Sequence, residues 1–476
     1  MPQTTQKPPN LTQAELTALL LTVSLSSFAT PLISSGVNVA LPYITLDFVI
    51  PASHIGWVQT SFLMAYAIFL FPFGKISDRI GKQKIFMAGL SFQLVGFVFA
   101  GLSTSFPTLL IGMALGGLGS AQVFSVAIPL LTTNFPRQER GKVIGINTAV
   151  VYTALAIGPF IGGVLISAFG WHSIFWILLP TIAIAFILAI RVISKLPKAV
   201  PHTTKPFDGM GAVVYIIAAS LLLTGISRIT EGSGAIIMLV IGIAISVFFL
   251  WWELKHPDPL FPIHIFIKNK LFRNSSLAAL INYGSSFAIT LLLSFYLQSV
   301  RDFTSIETGT ILIAQPLVMA VLTPFAGKLS DRVDPRILAT IGMAMTAISL
   351  FTFSFLTSTT PLWIIMGILL FLGCGFALFA SPNMNSIMSS VPDAQAGIAS
   401  ATAGSMRVFG QVVSMSAVMV AFAAILGSVV ISPEVAAPLL KALSTVFIAL
   451  GALCTVGIWF SYARGKSDIL QEKNKL

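Results

Sequence analysis

The chain has 476 residues, 56% of them hydrophobic and only 9% charged, with a formal net charge of +11. A soluble globular domain carries roughly 25% charged residues, so this composition excludes one and reads as a protein that crosses a membrane many times. The positive balance does not point to nucleic acid, because the basic residues are distributed by membrane topology.

The first fifteen residues are polar, and no small-residue cleavage site follows them, so no removable leader is expected. A membrane span needs about 20 mostly apolar residues. Such runs occur at 16–44, 54–74, 83–104, 107–131, 143–167, 172–193, 209–228, 234–252, 274–298, 306–326, 337–357, 361–381, 397–428 and 436–462, fourteen in all. They are expected to be helices, since in hydrocarbon each segment must satisfy its own backbone polar groups. The short alternating strands of a barrel are absent. Cys374 and Cys454 lie inside apolar runs and read as small packing residues, not as a disulfide or metal site.

One pattern occurs twice. Gly74-Lys75-Ile76-Ser77-Asp78-Arg79 returns as Gly327-Lys328-Leu329-Ser330-Asp331-Arg332, each copy in a short hydrophilic gap. Such a repeat marks a duplicated bundle, the plan of many secondary transporters. With the N-terminus in the cytoplasm, 23 of the 27 lysines and arginines fall on the cytoplasmic side, so both termini are expected inside. Eight spans then separate the two copies, where a simple repeat would have six, so one pair is extra. The expected organisation is a tail at 1–15, a six-helix half at 16–193, a linker with an inserted two-helix hairpin at 194–273, a second half at 274–462 and a tail at 463–476.

Asp78 and Arg79 are placed in the loop between the second and third spans. A carboxylate that pairs with an arginine or caps a helix can hold the inward face shut. Gly74 and Gly81 would allow tight turns there. Gly327, Asp331 and Arg332 form the second copy, where Val333-Asp334-Pro335 replaces the trailing Gly-Lys. The plainer alternative is a solvated basic loop that sets topology. Gly158-Pro159 removes a backbone donor and kinks its helix, while Gly162 and Gly163 leave a smooth face for a neighbour. These four residues read as a hinge and exit-side seal, or as glycine packing. Arg407 is the one strong charge within a span. It is either a ligand for an anionic group or a structural arginine reaching for the membrane edge. No Asp or Glu is placed deep in a span, so a proton carrier would be Glu15, Asp47, His54 or His172.

Further segments follow in order: Asn38-Val39-Ala40-Leu41-Pro42, Trp57-Val58-Gln59-Thr60, Phe135 to Gly141, Gly158 to Gly163, Trp171 to Phe175, and Glu253 with Pro259-Leu260-Phe261-Pro262. With the stretch Gly74 to Lys84, they resemble the major facilitator superfamily, and within it the fourteen-helix drug:proton antiporter group. The resemblance implies an all-α bundle working by alternating access. It also implies a substrate cavity on the helices that line it in the superfamily, hence Asn38, Gln59, Phe62, Gln122, Tyr152, Gln298 and Gln315, with Arg407. Ile33 stands where the group carries an aspartate, and Gly112 and Leu115 where it carries arginine and glutamine. The residues tied in the group to proton coupling are therefore missing, and a cavity without a carboxylate is expected to favour neutral or anionic compounds.

No phosphate-cradling G-x-x-x-x-G-K-[ST], metal cluster or catalytic constellation stands out, so no enzyme activity, cofactor, ATP or nucleic acid is expected. The expectation is an all-α transporter in the cell membrane, its partners the lipid bilayer and a small molecule. It would export lipophilic compounds or drugs, with protons as the coupling ion the resemblance implies. One alternative is an uncoupled or differently coupled carrier of a neutral or anionic substrate such as a lipid, siderophore or organic acid. Another is a non-transporting receptor or partner-binding protein.

Overall fold

The computed structural model describes residues 12–136, 139–193, 195–196, 208–261, 263–330, 332–392, 395–431 and 433–465. Fourteen helices among them are long and apolar enough to cross a membrane. They are α1 (Gln13–Asp47), α2 (Trp57–Ile80), α3 (Lys82–Gly101), α4 (Phe106–Asn134), α5 (Arg140–Phe169), α6 (Ser173–Ile193), α7 (Gly209–Ser227) and α8 (Ser233–Lys255). Then follow α9 (Lys270–Val300), α10 (Ser305–Leu329), α11 (Pro335–Phe353), α12 (Leu362–Ser389), α13 (Ala396–Ile425) and α14 (Ala436–Tyr462). The described residues form no strand. This is a multi-pass α-helical membrane protein.

The helices pack in a repeated pattern. α3 pairs with α4, α2 with α4, α1 with α5 and α6, and α3 with α6. Eight labels further on, α11 pairs with α12, α10 with α12, α9 with α13 and α14, and α11 with α14. Small residues allow the close approaches. A Cβ on Gly96 of α3 would collide with the Gly116 backbone of α4, and one on Gly112 of α4 with the Ala100 backbone of α3. Apolar helices gain little from burial inside a bilayer, so such backbone-to-backbone contact is what holds them together.

Two seams join the sets, α5 against α10 and α2 against α13. α7 and α8 pack on each other, and α7 straddles the second seam. The Tyr215 hydroxyl donates to the Ala67 carbonyl of α2 at 3.1 Å, and the Ser227 and Ser416 hydroxyls share a hydrogen bond of 2.8 Å with α13. The outer helix of this pair, α8, is mostly uncovered, with Ile236, Ile237, Val240 and Val247 exposed to what would be lipid.

The repeated motif differs from its expected setting. Gly74 to Ile80 are the last turns of α2, not a loop, and the connection to α3 is Gly81 alone, at φ +102°. Helix-compatible residues run up to Gly81, and only glycine takes that backbone angle without strain. Asp78 lies 3.9 Å from Lys82 across the junction, and Lys75 binds Asp258 at 2.7 Å. In the second copy Gly327 lies in the last turn of α10, Arg332 is exposed, and Asp331 lies outside the described residues. Asp334 caps α11 by accepting from the Arg336 N–H at 2.9 Å. Asp258→Ala is expected to cost no more than about 1 kcal/mol, a small fall in melting temperature, because the pair it breaks is only partly buried.

Candidate functional site

A cavity of about 130 Å³ lies between the two sets. Its walls come from α1, α2, α4 and α5 and from their counterparts α9, α10, α12 and α13. On α1, Thr30, Ser34 and Asn38 recur every four residues and so share one face. The same spacing pairs Phe62 with Tyr66 on α2 and Arg407 with Gln411 on α13. Tyr152, Leu155 and Pro159 come from α5, Tyr283 and Phe287 from α9, Gln315 from α10 and Phe376 from α12. Pro159 leaves the Leu155 carbonyl without its helical donor, so backbone polarity is available in that wall.

The aromatic rings touch one another. Tyr66 lies 6.4 Å from Phe62 and 5.7 Å from Phe124, and Tyr283 lies 6.4 Å from Phe376, measured between centroids. Arg407 is half-buried and faces the Tyr66 hydroxyl, with those of Tyr152 and Tyr283 close by. A few polar groups in an apolar, aromatic enclosure is the usual design of a small-molecule site.

The cavity is closed toward the Asp47 end. A Cβ on Gly163 would run into the Ser305 carbonyl, and one on Gly309 into that of Pro159. Ser305 Oγ donates to the Gly163 carbonyl at 3.0 Å. Gln298, in the π-helical last turn of α9, donates to the Val39 carbonyl of α1 at 3.2 Å, and the Ala52 N–H to the Val429 carbonyl at 2.9 Å. The opposite, basic end is less tightly packed at its glycines. A Cβ on Gly74, Gly141, Gly145 or Gly404 would meet nothing within 4 Å.

A sequence profile described as Major Facilitator Superfamily matches residues 23–415. The chain belongs to the major facilitator superfamily. This superfamily member is 28% identical over 379 residues to the riboflavin transporter RibZ of Clostridioides difficile (strain 630), covering 80% of this chain and 82% of that one. It is 30% identical over 392 residues to the tetracenomycin C resistance and export protein of Streptomyces glaucescens, covering 80% and 71%. Its fold is similar to the crystal structure of a bacterial homologue of the human lysosomal transporter Spinster, inward-facing and unoccupied. The TM-score is 0.66 at 15% identity, over 97% of this chain and 99% of that one.

Of the residues expected in the cavity of this major facilitator, Asn38, Phe62, Tyr152, Gln315 and Arg407 line it. Gln59, Gln122 and Gln298 stand elsewhere. Gln59 is buried against α1 and donates to Ser34 Oγ at 2.8 Å, Gln122 packs toward Gly89 of α3, and Gln298 belongs to the closure. In the hinge motif, Pro159 lines the cavity. Gly158 and Gly162 lie against Ser35 and Gly36 of α1, and Gly163 faces Ser305 of α10. Tyr66, Tyr283 and Gln411, which the sequence also offers as polar or aromatic residues within spans, line it too, Tyr66 and Gln411 one helical turn from Phe62 and Arg407.

None of the four candidate proton carriers lines the cavity. Glu15 binds Lys195 at 2.8 Å, Asp47 accepts from Trp171 Nε1 at 3.0 Å, His54 contacts Ser53, and His172 contacts the Ser103 carbonyl. A buried carboxylate lies in the last turn of one spanning helix, not deep within it. α8 runs on to Lys255 and encloses Glu253, 0% exposed, because the helix outlasts the apolar run. Glu253 Oε2 accepts from the Phe261 N–H at 2.8 Å, and Oε1 has no partner. Nearby Asp208 caps α7 and accepts from Trp252 Nε1 at 3.0 Å.

Proposed function

We propose that this protein is a secondary transporter that exports lipophilic aromatic small molecules across the cell membrane. In this reading the halves 16–193 and 274–462 rock about the cavity, the segment 194–273 is a linker carrying the hairpin, and the basic face with both tails, 1–15 and 463–476, is cytoplasmic. The observation that carries it is a cavity lined by equivalent helices of both sets and closed toward the Asp47 end. Alternating access needs such a site, held between two bodies that can re-seal on the other side. Gly163 and Gly309 act as the seal, and Gly158, Pro159 and Gly162 as the hinge beside α1. Gly74, Asp78, Arg79 and Gly81, with Gly327, Asp331 and Arg332, form the inward gate. Relatives named for riboflavin transport and for tetracenomycin C export support a fused-ring substrate.

A second reading, an uncoupled carrier, is favoured by one observation. No described carboxylate lines the cavity, and Ile33 is buried away from it. Protein in liposomes loaded with a pH-sensitive dye tests both, with an aromatic probe moving across an imposed pH gradient. Proton flux in fixed ratio to probe flux supports antiport. Probe flux that ignores the gradient supports the uncoupled carrier. No flux for a broad panel of probes would remove transport itself and leave a receptor.

A further inference from the structure

We propose that the cavity selects an aromatic organic anion, with its acidic group held by Arg407 and its ring by Tyr66, Phe62 and Tyr152. The proposal rests on the reading of the cavity as the substrate site. Arg407 lies in α13 about ten residues from its nearer end, so its charge is inside the membrane. A guanidinium there is costly to keep charged, and proteins usually offset that with a carboxylate. Here none does. No described Asp or Glu lines the cavity, and no described acid is within ion-pair distance of Arg407. The surrounding tyrosines supply dipoles but no counter-charge.

The counter-charge is therefore missing from the wall at the place where a ligand would sit. A planar guanidinium presents paired N–H donors that match a carboxylate in two parallel hydrogen bonds. Tyrosine hydroxyls beside it can donate to the same oxygens. A cation entering the cavity meets like charge, while a neutral compound leaves the guanidinium unsatisfied. The rings add shape, since flat aromatic walls favour a flat ligand over acetate or chloride. The approach is matched as well. At the end where a Cβ on Gly74 or Gly404 would meet nothing within 4 Å, the chain also concentrates its lysines and arginines, and such a field draws anions.

The test compares ligands on the unmodified, full-length protein in detergent, so it does not depend on a variant folding. Naphthalene and anthracene, each as the carboxylate, the carboxamide and the methylammonium, are titrated by calorimetry at constant ionic strength, with acetate as the ringless control. The carboxylates are expected to bind at least about tenfold tighter than the amides, with the ammonium compounds weakest and acetate silent. Arg407→Gln should erase the carboxylate advantage while amide binding persists, and Arg407→Lys should retain part of it. Amides or ammonium compounds binding as well as carboxylates would overturn the anion proposal and leave the cavity reading standing. A carboxylate preference that survives Arg407→Gln would overturn the assignment of Arg407. Binding by none of the compounds would overturn both readings.

Discussion

Gly163→Val is expected to reduce substrate flux at least about tenfold while leaving the protein folded. The first atom added points at the Ser305 carbonyl on the opposite side of a seam. The strain therefore falls on the contact between the two sets. Overpacking of this kind costs about 1–3 kcal/mol, which shifts a two-state equilibrium by roughly one to two powers of ten. The state with the Asp47 end sealed should be depleted, and the cycle should stall with that end parted. Gly309→Val acts from the other side, against the Pro159 carbonyl, and should give the same result. A cysteine at Ser34, with Cys374 and Cys454 replaced by serine, reports the state. It should react faster with an impermeant thiol reagent added at the Asp47 side. Unchanged flux in both variants would remove this seam from the transport cycle.

Gly112→Arg should be more damaging, because it attacks the fold. The resemblance to the drug:proton antiporter group invites this change as a restoration of a missing charge. The structure points the other way. A Cβ at residue 112 already collides with the Ala100 backbone, in the tight crossing of α3 and α4. The substitution adds overpacking of about 1–3 kcal/mol to an intramembrane charge of about 2.5–3.5 kcal/mol. Together these approach the whole stability of a marginal protein, about 5–15 kcal/mol. Detergent-solubilised protein should lose its monodisperse elution peak. A folded variant with newly proton-coupled flux would show that α3 and α4 can separate and that the position belongs to coupling.

Span number and type were legible because each apolar run is long and bounded by polar residues, a signal that needs no knowledge of packing. The repeated packing pattern has its counterpart in a hexapeptide pattern that occurs twice. The facing of individual polar residues was not legible. Gln59 and Gln315 look alike in sequence, each an isolated amide in an apolar helix. One is tied to Ser34 on the neighbouring helix and the other faces the cavity. Amides satisfy the same chemistry in both places, and only tertiary placement separates them. Gly74 to Ile80 read as a loop because charge is usually a mark of loops, yet a helix that emerges from a membrane carries its last charged turns with it.

In the repeated packing pattern the α2–α13 and α5–α10 junctions are equivalent, yet only the first carries a further helix, α7, with α8 outside it. An insertion of this pair between two copies would account for that inequality. Its size was constrained: one added helix would have turned the second copy upside down in the membrane, whereas two left its orientation unchanged. Divergence of the two junctions could then begin from a single event, with one under restraint from the newcomer and the other free to vary.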